Sequence, residues 1–481
     1  MNDFRNNVKK VMAVFLILFV ALISYIAYFQ TFKAPDIATQ QGNKRLWAKR
    51  NEILRGTIYD RNGNALTKGE KTGTLTQSRE YINGALYAHA LGYMSQKYGF
   101  SGIEASYDQE LSSYSEVGLS FREFTKDLNF SKLKESFLTR SDDTDKVGNG
   151  VITTLDPALQ KIACDALGNR KGAVVALNPK TGEILAMVSG PSFDPNNLDN
   201  VMAAANSGAN TDNVLLNRAV SGLYPPGSTF KTITTTSALE NIPGITDEIF
   251  HDTGSLQLSD KVSLPNVGGV ANGDINLKTA FLKSSNVVYG TLALRLGNSK
   301  LKATAEDFGF NSTIPSDGFN IAQSKFPTFD SNEKGLIAQC GIGQSEILAT
   351  PMQMALVCGT IANNGAMMEP RLVNQVVDKN KNVLNTISDK KYKTVMSSQN
   401  AAIVKDYMHG LASNLDIFNG IDAAGKTGTA ENSGGKDHSW FIGFAPVDNP
   451  KIAVAVIVEN SGFGAEYAGP IAASVIKAGS K

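Results

Sequence analysis

From Val11 to Phe29 the chain runs for 19 residues without a charge and without a polar face, VMAVFLILFVALISYIAYF. At 1.5 Å per residue a helix of that length spans roughly 28 Å, close to the apolar thickness of a bilayer. Arg5, Lys9 and Lys10 precede it, and Lys33 after it is balanced by Asp36. The positive-inside rule puts the N-terminus in the cytoplasm and everything beyond residue 30 outside. A cleaved signal peptide would have a shorter apolar core, about 7–15 residues, ending in a small-residue cleavage site. This run is longer, no such site follows, and no cysteine follows that could take a lipid. A buried core helix would show a polar stripe. The pattern predicts an uncleaved single-pass anchor.

Residues 33 to about 150 are polar and irregular. Within them Thr57–Tyr59 is a short β-prone run, and Asp60–Asn64, with Asn62-Gly63, predicts a hairpin turn. Ser131–Lys134 reads as a solvated helix face. Asp142, Asp143 and Asp145 lead into Gly148-Asn149-Gly150, a candidate domain boundary. From Val151 the texture changes. Val151–Leu155 predicts a strand, and Asp156-Pro157 an N-cap opening a helix through about Leu167. Ala173–Leu177 and Glu183–Val188 flank Asn178-Pro179-Lys180-Thr181-Gly182, a hairpin. Near the C-terminus Asp422–Ala430, Ser439–Ala445 and Lys451–Val458 predict three consecutive antiparallel strands, with the earlier hairpin joining their sheet. A mainly helical stretch lies between. Strands at both ends with helices between predict an α+β fold, an antiparallel sheet flanked by helices and carrying a helical subdomain.

Composition narrows the function classes. At 481 residues, 42% hydrophobic and 19% charged, the chain is globular, with room for several domains. A net charge of +1 offers no electrostatic case for nucleic acid. His89, His251, His409 and His438 are scattered, none at metal-ligand spacing, which argues against a metal site. Cys164, Cys340 and Cys358 sit in apolar settings and read as three buried thiols.

Three short motifs carry the chemistry by their order. SxxK occurs at Ser131, Ser228, Ser299, Ser331, Ser388, Ser433 and Ser474, and KTG at Lys71, Lys180 and Lys426. Lys71 and Lys180 lie at predicted turns. Only Ser228-Thr229-Phe230-Lys231 follows a Tyr224-Pro225-Pro226-Gly227 break and opens a helical run. Three residues apart on a helix, Lys231 shares a face with the Ser228 hydroxyl. Serine needs a base to attack, and lysine serves as one if burial or a neighbouring positive charge lowers its pKa. The helix N-terminus adds positive potential and N–H donors. Ser284-Ser285-Asn286 ends a helix-like run. Read alone it is a helix-terminal loop; read with Ser228, Ser284 relays a proton and Asn286 holds Lys231 and a substrate amide. The competing Ser398-Gln399-Asn400 precedes a helix, with Ser398 as N-cap. Lys426-Thr427-Gly428-Thr429 is small and extended beside strong strands. Lys426 supplies a charge for a carboxylate, Thr427 and Thr429 supply donors, and Gly428 lets a ligand approach closely. The Thr429 and Ser228 N–H groups form a candidate oxyanion hole.

SxxK, SxN and KTG in this order resemble the transpeptidase domain of penicillin-binding proteins. So do Gly341-Ile342-Gly343-Gln344, Ala349-Thr350-Pro351, Asn363-Asn364-Gly365 and Trp440-Phe441-Ile442-Gly443-Phe444. The glycine expected after Gln344 is replaced by Ser345. Arg55-Gly56-Thr57-Ile58-Tyr59-Asp60-Arg61 and Gly102-Ile103-Glu104 resemble the pedestal motifs of class B, monofunctional members. Residues 30–150 leave no room for a class A glycosyltransferase domain, and no C-terminal repeats follow 481. The resemblance divides the chain into a cytoplasmic tail (1–10), a transmembrane helix (11–29), a pedestal or dimerisation-like domain (30–150) and a transpeptidase domain (151–481). It makes Ser228 the acylated nucleophile, Lys231 its base, Ser284 and Asn286 the second motif, and Lys426, Thr427, Gly428 and Thr429 the substrate-binding third. It implies peptidoglycan D,D-transpeptidation through an acyl-enzyme, with a D-Ala-D-Ala stem peptide as donor, a neighbouring stem amine as acceptor, β-lactams as covalent inhibitors and no cofactor. It further implies a polytopic membrane glycosyltransferase as partner. The alternatives are a D,D-carboxypeptidase or β-lactam hydrolase, or a membrane-tethered scaffold without activity.

Overall fold

The apolar run Ile452–Val458 becomes the middle strand of a five-stranded antiparallel sheet in the computed structural model, which describes residues 2–29, 47, 50–113, 146–208, 212–432 and 434–481. The sheet runs in the order Ala424–Ala430, His438–Ala445, Ile452–Val458, Gly172–Leu177, Ile184–Gly190. Side chains alternate across a strand, so each run serves two cores. Val454, Val456 and Val458 pack with Val174 and Ala176 against the helices Pro157–Leu167 and Ala468–Gly479. Ala453, Ala455 and Ile457 face the other way with Ala173, Val175 and Leu177, toward the helical subdomain. Burial on both faces explains why these strands are apolar at every position rather than at every second one. The earlier hairpin joins the C-terminal strands as the sequence predicts, with Val454 opposite Ala176 and Val456 opposite Val174.

Local chemistry sets the element ends. Asp156 caps the Pro157–Leu167 helix, its carboxylate accepting from the N–H groups of Ala158 and Leu159 at 3.0 and 3.1 Å. Lys180 lies in the hairpin turn, where its N–H donates to Asn178 Oδ1 and Gly182 takes φ +76°. Lys71 lies in the Thr67–Gly73 strand, paired with Thr76–Tyr81, so its KTGT ends a hairpin arm. Asp60 closes its own turn, with Oδ1 accepting from the N–H groups of Asn62 and Asn64. Two sequence readings need correction. Ser397, not Ser398, caps the Ser398–Ser413 helix, because its Oγ accepts from the Asn400 N–H. Cys164 is half-buried, since it lies between the inner and outer faces of its helix, whereas Cys340 and Cys358 are buried. Lys33, Asp36, Ser131–Lys134, Asp142, Asp143 and Asp145 lie outside the described residues.

The strand predicted at Val151 forms as Gly150–Thr153, outside the large sheet. It pairs in parallel with Ile58–Tyr59 and antiparallel with Val373–Val377, tying the N-terminal segment to the C-terminal half. The Arg55–Arg61 and Gly102–Glu104 segments meet in a buried ion cluster. Glu104, fully buried, accepts from Arg55 Nε at 2.5 Å and Arg79 Nε at 2.7 Å, and Arg55 Nη1 also reaches Asp108 at 2.7 Å. Burial works against the Glu104 charge, and the two guanidiniums outweigh it, holding the carboxyl below its ordinary range. The Asn2–Tyr28 helix contains Lys9–Ile26, a span long and apolar enough to cross a membrane and not buried against the rest of the chain.

Glu104→Ala leaves the buried Arg79 guanidinium without its anion and Arg55 with Asp108 alone. It is expected to destabilise the protein by about 3–5 kcal/mol, read as a large fall in unfolding temperature, whereas Lys161→Ala, at an exposed ion pair, changes it little.

Candidate active site

Ser228 stands at the start of a helix because the chain before it cannot be helical. Tyr224-Pro225-Pro226 is fixed at three points: Tyr224 N–H and C=O pair with Ala349, Trp440 Nε1 donates to Pro225 O at 3.0 Å, and Tyr224 Oη donates to Glu459 at 2.7 Å. Gly227 takes φ +52°, and a Cβ there would lie 2.5 Å from Thr429 O. Gly343, at φ +74°, passes so close behind that a Cβ would meet Gly227 O at 2.1 Å. Two glycines therefore let the Ser228 turn touch both the third-motif strand and the Gly341–Gln344 segment. Gly227–Phe230 forms a 3₁₀ turn and Lys231–Asn241 continues as α-helix. Ser228 is half-exposed, while Lys231 is fully buried. The buried threonines of this helix return their hydroxyls to carbonyls, Thr235 to Lys231 O and Thr236 to Thr232 O, so its polar interior is satisfied.

The second motif is a break between two helices. Leu277–Lys283 ends at Ser284, which adopts the left-handed conformation at φ +54°. Ser285 then caps Asn286–Asp307 by accepting from the Val288 N–H. The bend aims three oxygens at Lys231 Nζ: Ser284 O at 2.7 Å, Asn286 Oδ1 at 2.8 Å and Ser284 Oγ at 3.1 Å. Asn286 Nδ2 donates to Pro265 O at 2.8 Å, which turns Oδ1 toward the lysine. One turn on, the Tyr289 ring lies 5.3 Å from Nζ.

The third motif comes from Ala424–Ala430, an edge strand of the large sheet that pairs, among the described residues, with His438–Ala445 alone. Lys426 is fully buried and its Nζ donates to Ser284 Oγ at 3.1 Å and Thr427 O at 3.2 Å. Thr427 and Thr429 are half-exposed on the alternate face, and Thr429 Oγ1 accepts a long 3.4 Å bond from Gly464 N–H. The Ser284 hydroxyl thus lies between two lysines.

That arrangement lowers the pKa of both lysines. Burial, and after it the charge of Lys426, holds Lys231 well below the ordinary lysine value. Burial lowers Lys426 to about 7. A neutral Lys231 has two N–H groups and one lone pair. Ser284 O and Asn286 Oδ1 only accept, so they take both N–H groups. The lone pair is left for an O–H donor, either Ser284 or a hydroxyl arriving from the Ser228 side. Ser284 Oγ, receiving Lys426, is free to pass its own proton on. Among the described residues Ser228 Oγ has no hydrogen-bond partner and is open to a ligand.

All eight residues singled out in the sequence therefore belong to three segments that meet: Ser228 and Lys231 on one helix, Ser284 and Asn286 at the helix break, and Lys426–Thr429 on the edge strand. Sequence reading missed Asp252 and Asn266, which hold the second motif from behind; no pattern around them marks them out. It also missed the role of the Trp440 indole. Ser345, where a glycine was expected, takes φ +65°, a conformation glycine adopts freely.

Comparison with known proteins agrees with this geometry. Residues 172–478 match the penicillin binding protein transpeptidase domain family, and residues 55–130 match the penicillin binding protein A dimerisation domain. The peptidoglycan D,D-transpeptidase PbpA of Mycolicibacterium smegmatis is 34% identical over 98% of this chain and 99% of its own. The D,D-transpeptidase MrdA of Acinetobacter baumannii is 30% identical over 82% of this chain and 65% of its own. The structure of penicillin-binding protein A from M. tuberculosis as a ceftriaxone acyl-enzyme superposes with a TM-score of 0.80 at 32% identity, covering 90% of this chain and all of that one.

The left-handed backbone at Ser345 predicts an order of stabilities. Ser345→Gly is expected to unfold at or above the wild-type temperature. Ser345→Val, β-branched in that conformation, is expected to lose about 1–3 kcal/mol.

Proposed function

This chain belongs to the penicillin-binding transpeptidase family and is a serine-type peptidoglycan D,D-transpeptidase of cell-wall synthesis, and we propose that Ser228 is its acylated nucleophile. The observation that carries the assignment is the convergence of Lys231 and Lys426 on one hydroxyl, Ser284 Oγ, with Asn286 Oδ1 accepting from Lys231 Nζ, and a Ser228 Oγ that has no partner among the described residues. Neutral Lys231 takes the Ser228 proton as Oγ attacks the carbonyl between the two D-alanines. The N–H groups of Ser228 and Thr429 receive the developing oxyanion. The tetrahedral adduct collapses as Ser284 protonates the departing D-Ala amine and is itself reprotonated from the lysine side. An amine of a second stem peptide then attacks the ester carbonyl, Lys231 accepts its proton and passes it to Ser228 Oγ as the ester bond breaks, and both the Ser228 hydroxyl and neutral Lys231 are restored. Lys426, Thr427 and Thr429 hold the terminal carboxylate of the donor. The free edge of Ala424–Ala430 offers backbone groups to an extended peptide, and Gly428, expected from the sequence to admit a ligand, instead admits the protein's own Thr229 and Trp440, which a Cβ would meet at 2.8 and 2.9 Å.

The same attack on a β-lactam carbonyl yields a stable ester, as in the acyl-enzymes of the M. tuberculosis relative. Arg5, Lys9 and Lys10 favour an N-terminus in the cytoplasm and a catalytic domain outside. A chain anchored beside its lipid-linked glycan substrate fits a polytopic glycosyltransferase as partner.

A fluorescent penicillin is expected to label the wild type on the peptide containing Ser228, by mass mapping, and to leave Ser228→Ala unlabelled. Labelling that persists in the variant would remove Ser228 from the mechanism, and rapid β-lactam turnover would favour a hydrolase.

The acylation rate should also show two pH limbs. It rises as Lys231 loses its proton at a depressed pKa, and it falls above about 7 as Lys426 becomes neutral. Lys426→Met removes the positive neighbour, so the Lys231 pKa rises and the acid limb moves to higher pH. An acid limb unmoved in that variant would refute the coupling of the two lysines.

A further inference from the structure

Behind the second motif lies a buried anion that the mechanism above does not use. Asp252 is 1% exposed, at the end of the strand Ile249–Asp252. Among the described residues no cation pairs with it; neutral groups hold its charge. Oδ1 accepts from the Gly254 N–H at 2.9 Å and from Asn266 Nδ2 at 2.8 Å. Oδ2 accepts from Ser285 Oγ at 2.6 Å, from Asn272 Nδ2 at 2.6 Å and from Asn266 Nδ2 at 3.0 Å. Every group turned toward it is a donor. A buried charge is costly, and hydrogen bonds of this number are what offset it. An amide at this place would turn its own NH₂ toward donors.

Two of those donors lead to the reaction. Asn266, oriented by Asp252 and by Val270 O at 2.8 Å, uses its Oδ1 to accept from the N–H groups of Asn286 at 2.7 Å and Val287 at 3.1 Å. The carbonyl of its neighbour Pro265 accepts from Asn286 Nδ2. Ser285, the other donor, caps the same helix start. Asn286 is therefore gripped at its backbone and at its amide nitrogen by groups that Asp252 orients. Its remaining atom, Oδ1, is the one that meets Lys231.

We propose that Asp252 is a positioning residue for acylation: through Asn266 and Ser285 it fixes the Asn286 amide, and with it the direction of the Lys231 lone pair. The inference rests on Ser228 as nucleophile and Lys231 as base. A misplacement of about 1 Å at such a base costs about 100-fold in rate without abolishing ligand binding.

The test uses the full chain in detergent and a chromogenic cephalosporin, with stopped-flow data resolved into the non-covalent dissociation constant and the acylation rate constant. Asp252→Asn is expected to lower the acylation rate constant about 100-fold and to change the dissociation constant by less than about threefold. Combining Asp252→Asn with Asn266→Asp reverses the sense of their hydrogen bond and keeps an oxygen against the Asn286 and Val287 N–H groups. This double variant is expected to recover about tenfold of the rate, which a merely structural lesion would not allow. An acylation rate constant within about twofold of wild type in Asp252→Asn overturns the proposal, and so does a double variant no faster than the single one. Should Asp252→Asn fail to fold, Ser285→Ala removes one of the five bonds. A fall of about tenfold in its acylation rate at unchanged dissociation constant supports the proposal, and an unchanged rate overturns it. A wild type that forms no adduct contradicts the nucleophile assignment instead, so the two failures are told apart.

Discussion

Two lysines share one serine hydroxyl inside this protein, and water is kept from both. Each Nζ lies 3.1 Å from Ser284 Oγ, so the two nitrogens are no more than about 6 Å apart. Two positive charges at that separation repel by about 3 kcal/mol at the effective dielectric of a protein site, beyond the cost of burying each. One of them gives up its proton. Lys231, more deeply affected because it feels Lys426 as well as burial, is the one left with a lone pair. The proposed role of Lys231 as base thus rests on packing rather than on its own chemistry.

The fold is arranged to maintain that proximity. The large sheet, buried on both faces, supplies a rigid edge from which Lys426 projects, and Trp440 in the next strand reaches across to hold Pro225 ahead of Ser228. Gly227 and Gly343 allow three backbone segments to approach more closely than side chains would permit. The helix break at Ser284 and Ser285 presents carbonyl, hydroxyl and amide oxygens to one amine, and the Asp252 cluster braces that break from behind. A substrate meets positions already set, so little reorganisation is left for the moment of reaction.

The segment between the apolar helix and Val151 shows the same economy with opposite sign. Glu104 collects Arg55 and Arg79 in a fully buried cluster, and Gly150–Thr153 threads between the Ile58–Tyr59 strand and the C-terminal half. That strand was legible as a strand, but its partners were not. Nothing in Val151–Leu155 says that it avoids the large sheet. Pairing depends on which segments arrive beside it, and those lie about 90 residues before and 220 after.

The sequence by itself determined what is local. The apolar run Val11–Phe29, the Asp156-Pro157 cap, the turns at Asn62-Gly63 and Thr181-Gly182, and the strands that form the large sheet follow from periodicity and backbone preference within a few residues. The order of Ser228, Ser284 and Lys426 was equally plain, and so was the family that order resembles. Tertiary structure alone decided the charge of the lysines, the left-handed turn at Ser284, and the work of Asp252, Asn266 and Trp440. These depend on burial and on hydrogen bonds between segments 20 to 215 residues apart. A pKa is a property of surroundings, and a sequence carries a side chain without its surroundings.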